Sequence, residues 1–320
     1  MPRDHGGNLD AAVARYGAGD WIDLSTGINR RPWPVPPLSQ AAWRALPTAA
    51  AEAALVRSAA GWIGCAPGRV LAVAGATAAI QMLPRLLPGR RAAVLTPSYN
   101  EHAASLAAAG WQVSPAPDLA AMAGADLAVV VNPNNPDGRE WPPEVLADLA
   151  ARVGWLVVDE SFADPRPDLS LAPALPGNAV VLRSFGKFWG LAGLRLGFVL
   201  AVPDLLARLR EAAGPWSVSG PALEIATAAM SDRAWADEAV TYHGEASLNL
   251  DRLASRAGWQ PLGGTHLFRL YHTPDAGAAQ DRLARAHIWS RRFPYSDRWL
   301  RLGIPGHAGE WDRVRAALRS

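Results

Sequence analysis

The chain has 320 residues, half of them apolar and 19% charged, which suits a soluble protein with one large core and a smaller one. Thirty-one basic and 29 acidic side chains give a formal net charge of +2. The excess is spread along the chain without a Lys/Arg block, so neither nucleic-acid binding nor a polybasic membrane contact is expected.

The chain opens on MPRDHGGNLD, which lacks the apolar stretch of a signal peptide, and no later apolar run approaches the roughly 20 residues of a membrane span. A cytoplasmic location is expected. Residues 1–45 should form an irregular entry, because Pro32, Pro34, Pro36 and Pro37 forbid a continuous helix there. From 46 to 204, short β-rich apolar runs alternate with Ala/Leu-rich helical stretches, the first at 49–54. The runs are 70–75, 92–96, 127–132, 155–159, 179–184 and 196–201. Continuous apolar character suits strands covered on both faces, and strands separated by helices imply a mainly parallel α/β sheet. Within this region Cys65 is the single cysteine, which excludes an intrachain disulfide and a cysteine-rich metal site. Residues 205–320 read as a smaller α+β domain. Helices are expected at 205–213, 222–230, 238–257 and 276–286, strands at 267–271 and 299–304, and a closing helix.

Ligands of an open parallel sheet sit at the carboxyl ends of its strands. Five polar clusters follow strands here: Gly75-Ala76-Thr77, Thr96-Pro97-Ser98-Tyr99, Asn132-Pro133-Asn134-Asn135-Pro136, Asp159-Glu160 and Ser184-Phe185-Gly186-Lys187.

Lys187 lies among Phe185, Phe188 and Trp189 in sequence. An amine held among apolar groups loses solvation of its charged form and becomes a nucleophile toward an aldehyde. Alone, Lys187 reads more readily as a surface lysine than as a nucleophile. Ser184-x-x-Lys187 matches an acyl-serine pattern but lacks the SDN and KTG partner elements. Gly186-Lys187 and the VVDE strand resemble a P-loop pair, yet Phe188 stands where Ser or Thr is required and Val181 where glycine is. Asp159 at a strand end could hold a pyridine nitrogen protonated; a helix cap or structural ion pair is the plainer use. Asn135, before Pro136 and Gly138, could donate to a phenolic oxygen, or simply belong to a turn. Gly75, Ala76 and Thr77, opening a helix, could hold a phosphate together with Ser184 and Arg195. Tyr99 and His102 are both candidates to stack on a ring face.

In that order, these motifs resemble the class I/II aminotransferase superfamily, the fold type I pyridoxal-phosphate (PLP) enzymes, along nearly the whole chain. Residues 182–198, LRSFGKFWGLAGLRLGF, carry the strongest likeness. His5-Gly6-Gly7-Asn8, the segment 23–29 (DLSTGIN) and 214–219 (GPWSVS) are similar to the threonine-phosphate decarboxylase branch, which acts in cobalamin biosynthesis. The resemblance implies a mainly parallel seven-stranded sheet sandwiched by helices, a PLP cofactor and a homodimer. It implies a phosphorylated amino-acid substrate, L-threonine O-3-phosphate, decarboxylated to (R)-1-amino-2-propanol O-2-phosphate. Lys187 would carry the cofactor as a Schiff base, Asp159 would pair with its pyridine nitrogen and Asn135 with its phenolic oxygen. Gly75, Ala76, Thr77, Ser184 and Arg195 would hold its phosphate. Arg301 would bind the substrate carboxylate, a second arginine would come from Arg291 or Arg292, and His5 and Asn29 would face the substrate. One departure stands out: Phe162 occupies a position where most of the superfamily has tyrosine. Histidinol-phosphate aminotransferase is the near alternative. A P-loop nucleotide binder and a non-catalytic PLP-fold protein are the more distant ones.

Overall fold

The computed structural model describes residues 5–319. By its contacts the chain divides into two compact units. One comprises residues 33–135 and 140–233, the other residues 1–32, 136–139 and 234–320.

The first unit is built on a seven-stranded sheet. Its spatial order is Val70–Val73, Gly197–Leu200, Ala179–Ser184, Trp155–Asp159, Leu127–Val131, Arg91–Leu95 and Gln112–Ala116. Gly197–Leu200 runs antiparallel to both of its neighbours and every other pairing is parallel. The inner strands are almost wholly Val, Leu and Ala and buried throughout, because helices cover both faces. One face packs Leu71, Val94, Val129, Val157, Val180 and Leu182 into a core with Ile80, Leu83 and Leu206 from helices.

Gln112–Ala116 is a strand that the apolar-run criterion misses. It is an edge strand, largely exposed and containing Pro115, and a half-covered edge has no need of continuous apolar character. The division at residue 233 also differs from the boundaries expected near 45 and 204. Pro203–Ala213 packs on Ala76–Leu86, and Gly220–Ala229 packs on Ala49–Ile63, so both helices belong with the sheet. Trp33 joins the same unit through its indole Nε1, which donates to Asp232 (3.0 Å).

The second unit has a four-stranded antiparallel sheet in the order Arg291–Phe293, Ser296–Gly303, Phe268–His272, Gln260–Thr265. Helices Arg233–Arg256, Ala276–Arg285 and Ala308–Arg319 accompany it. Leu250, Tyr271, Leu283, Leu300, Leu302 and Val314 meet in its core. The entry segment is more ordered than expected. Leu9–Tyr16 is a helix, with Asn8 accepting from Ala11 N at its start (3.1 Å), and Ile22–Asp23 pairs parallel with Ile288–Trp289. The prolines at 32–37 constrain only their own neighbourhood, and Asn8 supplies the start signal upstream of them. No helix of the described residues is long and apolar enough to cross a membrane.

His243, on Arg233–Arg256, is 0% exposed, and neither ring nitrogen has a hydrogen-bond partner. Burial, then the charges of His266 and Arg31, push its pKa down to about 4. An unfolded histidine titrates near 6.5, so between about pH 6.5 and 4 the unfolded chain takes up a proton that the folded one excludes. Stability should fall as pH drops through that window and be unaffected above it. We expect urea denaturation to show a loss of roughly 2–3 kcal/mol between pH 7 and 4.5 that His243→Leu largely removes.

Candidate active site

The parallel strands end on one sheet edge at Val73, Leu95, Val131, Asp159 and Ser184. A cavity of about 220 Å³ opens there, lined by Gly75, Ala76, Thr77, Tyr99, Asn135, Asp159, Ser161, Phe162, Ser184, Lys187 and Arg195, among others. Residues far apart in sequence meet because they lie at or just beyond strand ends that share one sheet edge.

Asp159 is 3% exposed. Burial opposes its charge, yet hydrogen bonds with His102 and from Ser161 prevail and hold its pKa below the usual carboxylate value. His102 Nε2 lies 2.8 Å from Oδ2, while the backbone N–H and the hydroxyl of Ser161 both donate to Oδ1. Strand alternation sends the next carboxylate the other way. Glu160 is wholly buried outside the cavity, where it pairs with Arg183 (3.0 Å) and accepts from Ser170 Oγ and Leu171 N. Arg183 also binds Asp164, which accepts from the Trp62 indole.

Of the two stacking candidates, only Tyr99 lines the cavity. His102 sits behind it, buried, with its ring edge-on to Tyr99 and its Nε2 on Asp159. Of the two residues that spacing left open, Tyr99, the extended residue before helix Asn100–Ala108, is thus the one at the cavity wall, and His102 in the first turn of that helix lies behind it. Burial, then the charges of Asp159 and Glu101, push the Tyr99 phenol up to about 12, while its hydrogen bond with Thr77 acts against them.

Lys187 is half-buried. Its sequence neighbours do not wrap its amine. Phe185 stacks on Trp189 at 5.5 Å, Phe188 stacks on Trp62 at 6.1 Å, and none of these rings lines the cavity. They bolt the short turn 185–188 into the core, so that Lys187 alone faces outward. The ring beneath its Nζ is Phe162, 5.8 Å away, within cation–π range.

At the opposite end of the site, helix Ala76–Leu86 starts at Gly75 without a side-chain cap, so its first N–H groups are offered to the cavity. Gly75 has φ +82°, and a Cβ there would lie 2.9 Å from Arg195 Nη2. Gly197 lets the strand pass the same helix start, since its Cβ would stand 2.5 Å from Ala76 N. With the Thr77 and Ser184 hydroxyls and the Arg195 guanidinium, these N–H groups make a phosphate cradle. Asp159 as acceptor, Lys187 as amine and Asn135 as amide complete a donor set that fits PLP.

The second unit holds the remaining candidates. Arg301 is buried, donates from Nη2 to Ser25 O (2.8 Å) and lies over the Phe268 ring. Arg291 stands opposite it in strand register, hence on the same sheet face, whereas Arg292 alternates away toward Asp275. Burial, then the charge of Arg291, pull the Arg301 pKa down to about 10. His5, Asn8, Ser25, Arg291 and Arg292 line a cavity of about 310 Å³ in this unit. Gly6 is needed where it is, because a Cβ would lie 2.4 Å from Ser25 O, and Gly7 N donates to Ser25 Oγ (2.7 Å). Asn29 is not among the lining residues; it is buried, and its Oδ1 accepts from Arg31 N (2.7 Å), as in an Asx turn. Sequence reasoning passed over Ser161 altogether. The signal was available, since a serine two residues after a buried aspartate can turn back on it.

The aminotransferase class I and II family model matches residues 22–318. A threonine-phosphate decarboxylase of a Sinorhizobium species is 44% identical over 327 aligned positions, covering 99% of this chain and 98% of that protein. A histidinol-phosphate aminotransferase of Mycobacterium bovis is 35% identical over 270 positions, covering 78% of this chain and 72% of that protein. Among solved structures, the histidinol-phosphate aminotransferase from Sinorhizobium meliloti in complex with pyridoxal-5'-phosphate superposes with a TM-score of 0.82. It is 23% identical and the match covers 99% of this chain and 94% of that one, a likeness of fold.

The cradle yields a direct prediction. Gly197→Ala must displace the start of helix Ala76–Leu86, and titration with PLP should show affinity reduced at least roughly tenfold with thermal stability lowered by about 1–3 kcal/mol.

Proposed function

The chain belongs to the aminotransferase class I and II family, and we propose that within it this protein is a PLP-dependent decarboxylase acting on L-threonine O-3-phosphate. PLP is the cofactor. The observation that carries the substrate reading is the Arg291/Arg301 pair. Two guanidiniums on one sheet face, one of them buried, repel each other and are relieved by an anion. The adjoining cavity is also lined by His5 and Arg292, so the unit gathers basic side chains able to donate to a carboxylate and a phosphate on one small molecule. The 44% identity to the Sinorhizobium decarboxylase spans this unit as well as the sheet unit, whereas the 35% identity to the mycobacterial aminotransferase spans 78% of the chain.

When bound, the cofactor supplies a ring that accepts the electron pair released as a bond to the substrate's Cα breaks. Asp159, held ionised, keeps the ring nitrogen protonated so that the pair has somewhere to go. Asn135 donates its amide to the phenolic oxygen. Phe162 brings no hydroxyl to that side, which leaves the oxygen with one donor fewer than a tyrosine would give. Thr77, Ser184, Arg195 and the helix start would hold its phosphate. Lys187 would anchor the cofactor through its amine and would be the group that returns a proton to the substrate's Cα. Arg301 and Arg291 would bind the substrate's anionic groups.

The protein is also read as a homodimer. In the sheet unit Trp43 is 65% and Trp216 54% exposed, and Trp216 borders an apolar groove lined by Ala49, Ala53, Val56 and Val218. Large exposed apolar groups of this kind mark an association surface. Light scattering should give twice the chain mass, and Trp216→Glu should shift the protein toward the monomer.

Purified protein with PLP and L-threonine O-3-phosphate should release CO₂ and aminopropanol phosphate. Conversion of histidinol phosphate that depends on 2-oxoglutarate, without CO₂ release, would assign the chain to the aminotransferases instead. Lys187→Ala should lower kcat/KM by at least roughly 10³-fold and abolish the borohydride-fixed pyridoxyl adduct. Arg301→Gln should cost about 10²-fold.

A further inference from the structure

Ser161 has no part in the reading above, yet its hydrogen bonds are specific. An ionised carboxylate only accepts, and it offers about four lone-pair directions. Around Asp159 three are taken: by His102 Nε2 at 2.8 Å, by Ser161 N at 3.0 Å and by Ser161 Oγ at 2.5 Å. One direction is left for a donor in the cavity that Asp159 and Ser161 both line. The three donors differ in kind. The backbone N–H is present whatever residue stands at 161, and His102 donates only while its Nε2 carries a proton. The Ser161 hydroxyl is the side-chain donor that neither titrates nor tautomerises. It also goes to the same Oδ1 as its own backbone N–H, so the two together fix the rotation of the carboxylate.

We propose that Ser161 is a positioning residue: its hydroxyl holds Asp159 ionised and turned so that the remaining lone pair meets the protonated ring nitrogen of PLP. The proposal rests on the PLP reading of the cavity. It assigns Ser161 an effect on one atom of the cofactor, which a merely space-filling serine would not have.

The test reconstitutes the cofactor-free parent protein, Ser161→Ala and Ser161→Thr with PLP and, separately, with 1-deaza-PLP, in which a C–H replaces the ring nitrogen. Dissociation constants are read from the visible absorbance and from tryptophan quenching. Ser161→Ala should bind PLP roughly tenfold more weakly than the parent, and Thr should restore the affinity. The visible band of the Ala variant should also titrate at higher pH, because a ring nitrogen held less firmly in its protonated form withdraws less charge from the linkage to Lys187. Toward 1-deaza-PLP the parent and the Ala variant should bind alike, there being no ring N–H for Asp159 to meet. Equal weakening toward both cofactors, or undiminished PLP affinity in Ser161→Ala, overturns the role given to Ser161. A parent protein that takes up neither cofactor overturns the PLP reading and this inference with it, and is told apart because it shows in the unaltered chain.

Discussion

A carboxylate kept ionised almost out of reach of water is the constraint on which the rest of the sheet unit depends. Burying an unpaired charge costs at least several kcal/mol, roughly the whole margin by which a domain is stable. Asp159 escapes that cost because it ends a strand: its backbone is satisfied by the sheet, while its side chain projects past the last rung, where a helix and the returning chain can bring donors. The same strand end decides the fate of the adjacent acid. Alternation points Glu160 to the other side, where a second buried network forms around Arg183, with Asp164, Ser170 and the Trp62 indole as further members. Two consecutive carboxylates thus serve different purposes through strand geometry alone. Arg183 ties the segment that follows Asp159 to the neighbouring strand, so the charge of the first acid is held in place by the pairing of the second.

The opposite end of the cavity is governed by clearance rather than charge. A phosphate is gripped only if backbone N–H groups, hydroxyls and a guanidinium converge within hydrogen-bond reach, and side chains on the converging backbones would keep them apart. Gly75 and Gly197 remove those side chains, and Gly186 does the same where the Lys187 turn crosses Ala192. Arg195 takes a left-handed conformation, φ 52°, to bring its guanidinium back over Gly75. The glycines of the segment SFGKFWGLAGLRLG therefore record close approaches between elements, and the arginine among them is placed by those approaches.

Much of this was legible in the sequence because strands covered on both faces must be continuously apolar, so their ends stand out as the first polar residue. Asp159, Ser184, Asn135, Thr77 and Lys187 were found that way. Direction was not legible. Whether Phe185 and Trp189 surround Lys187 or pack beneath it depends on which face of a four-residue turn meets the core, and periodicity says nothing over so short a stretch. His102 and Tyr99 were indistinguishable for the same reason, being three apart at one helix start but in successive layers. That Asn29 also closes a local turn, its Oδ1 accepting from Arg31 N, was equally invisible, because a short polar side chain can serve a turn and a ligand alike. The Gln112–Ala116 strand and the Leu9–Tyr16 helix escaped notice because an edge strand and a short exposed helix place few demands on composition.

The electronic balance of the site follows from one substitution read against these contacts. With Phe162 in place of a tyrosine, residue 162 would bring no hydroxyl to the oxygen side of a bound pyridine ring, while Asp159, which on the proposed reading would face the nitrogen, is braced by three hydrogen bonds. An enzyme that must accept an electron pair into the ring gains by concentrating its electrostatics at the nitrogen, since a protonated nitrogen is what makes the ring a strong sink. Stabilising the oxygen mainly adjusts how readily the resting cofactor linkage gives up its proton. The site thus gives up control over the resting state and retains control over the step in which a Cα bond breaks. On the proposed reading, which bond that is would fall to the groups that bind the substrate's anions. Arg301, disfavoured as a cation by its burial and by Arg291, gains most from a ligand that brings negative charge to it. A doubly anionic substrate answers that need, and the likeness to the Sinorhizobium decarboxylase over both units, against a weaker and shorter one to the mycobacterial aminotransferase, is the reason the decarboxylase reading is preferred to its neighbour.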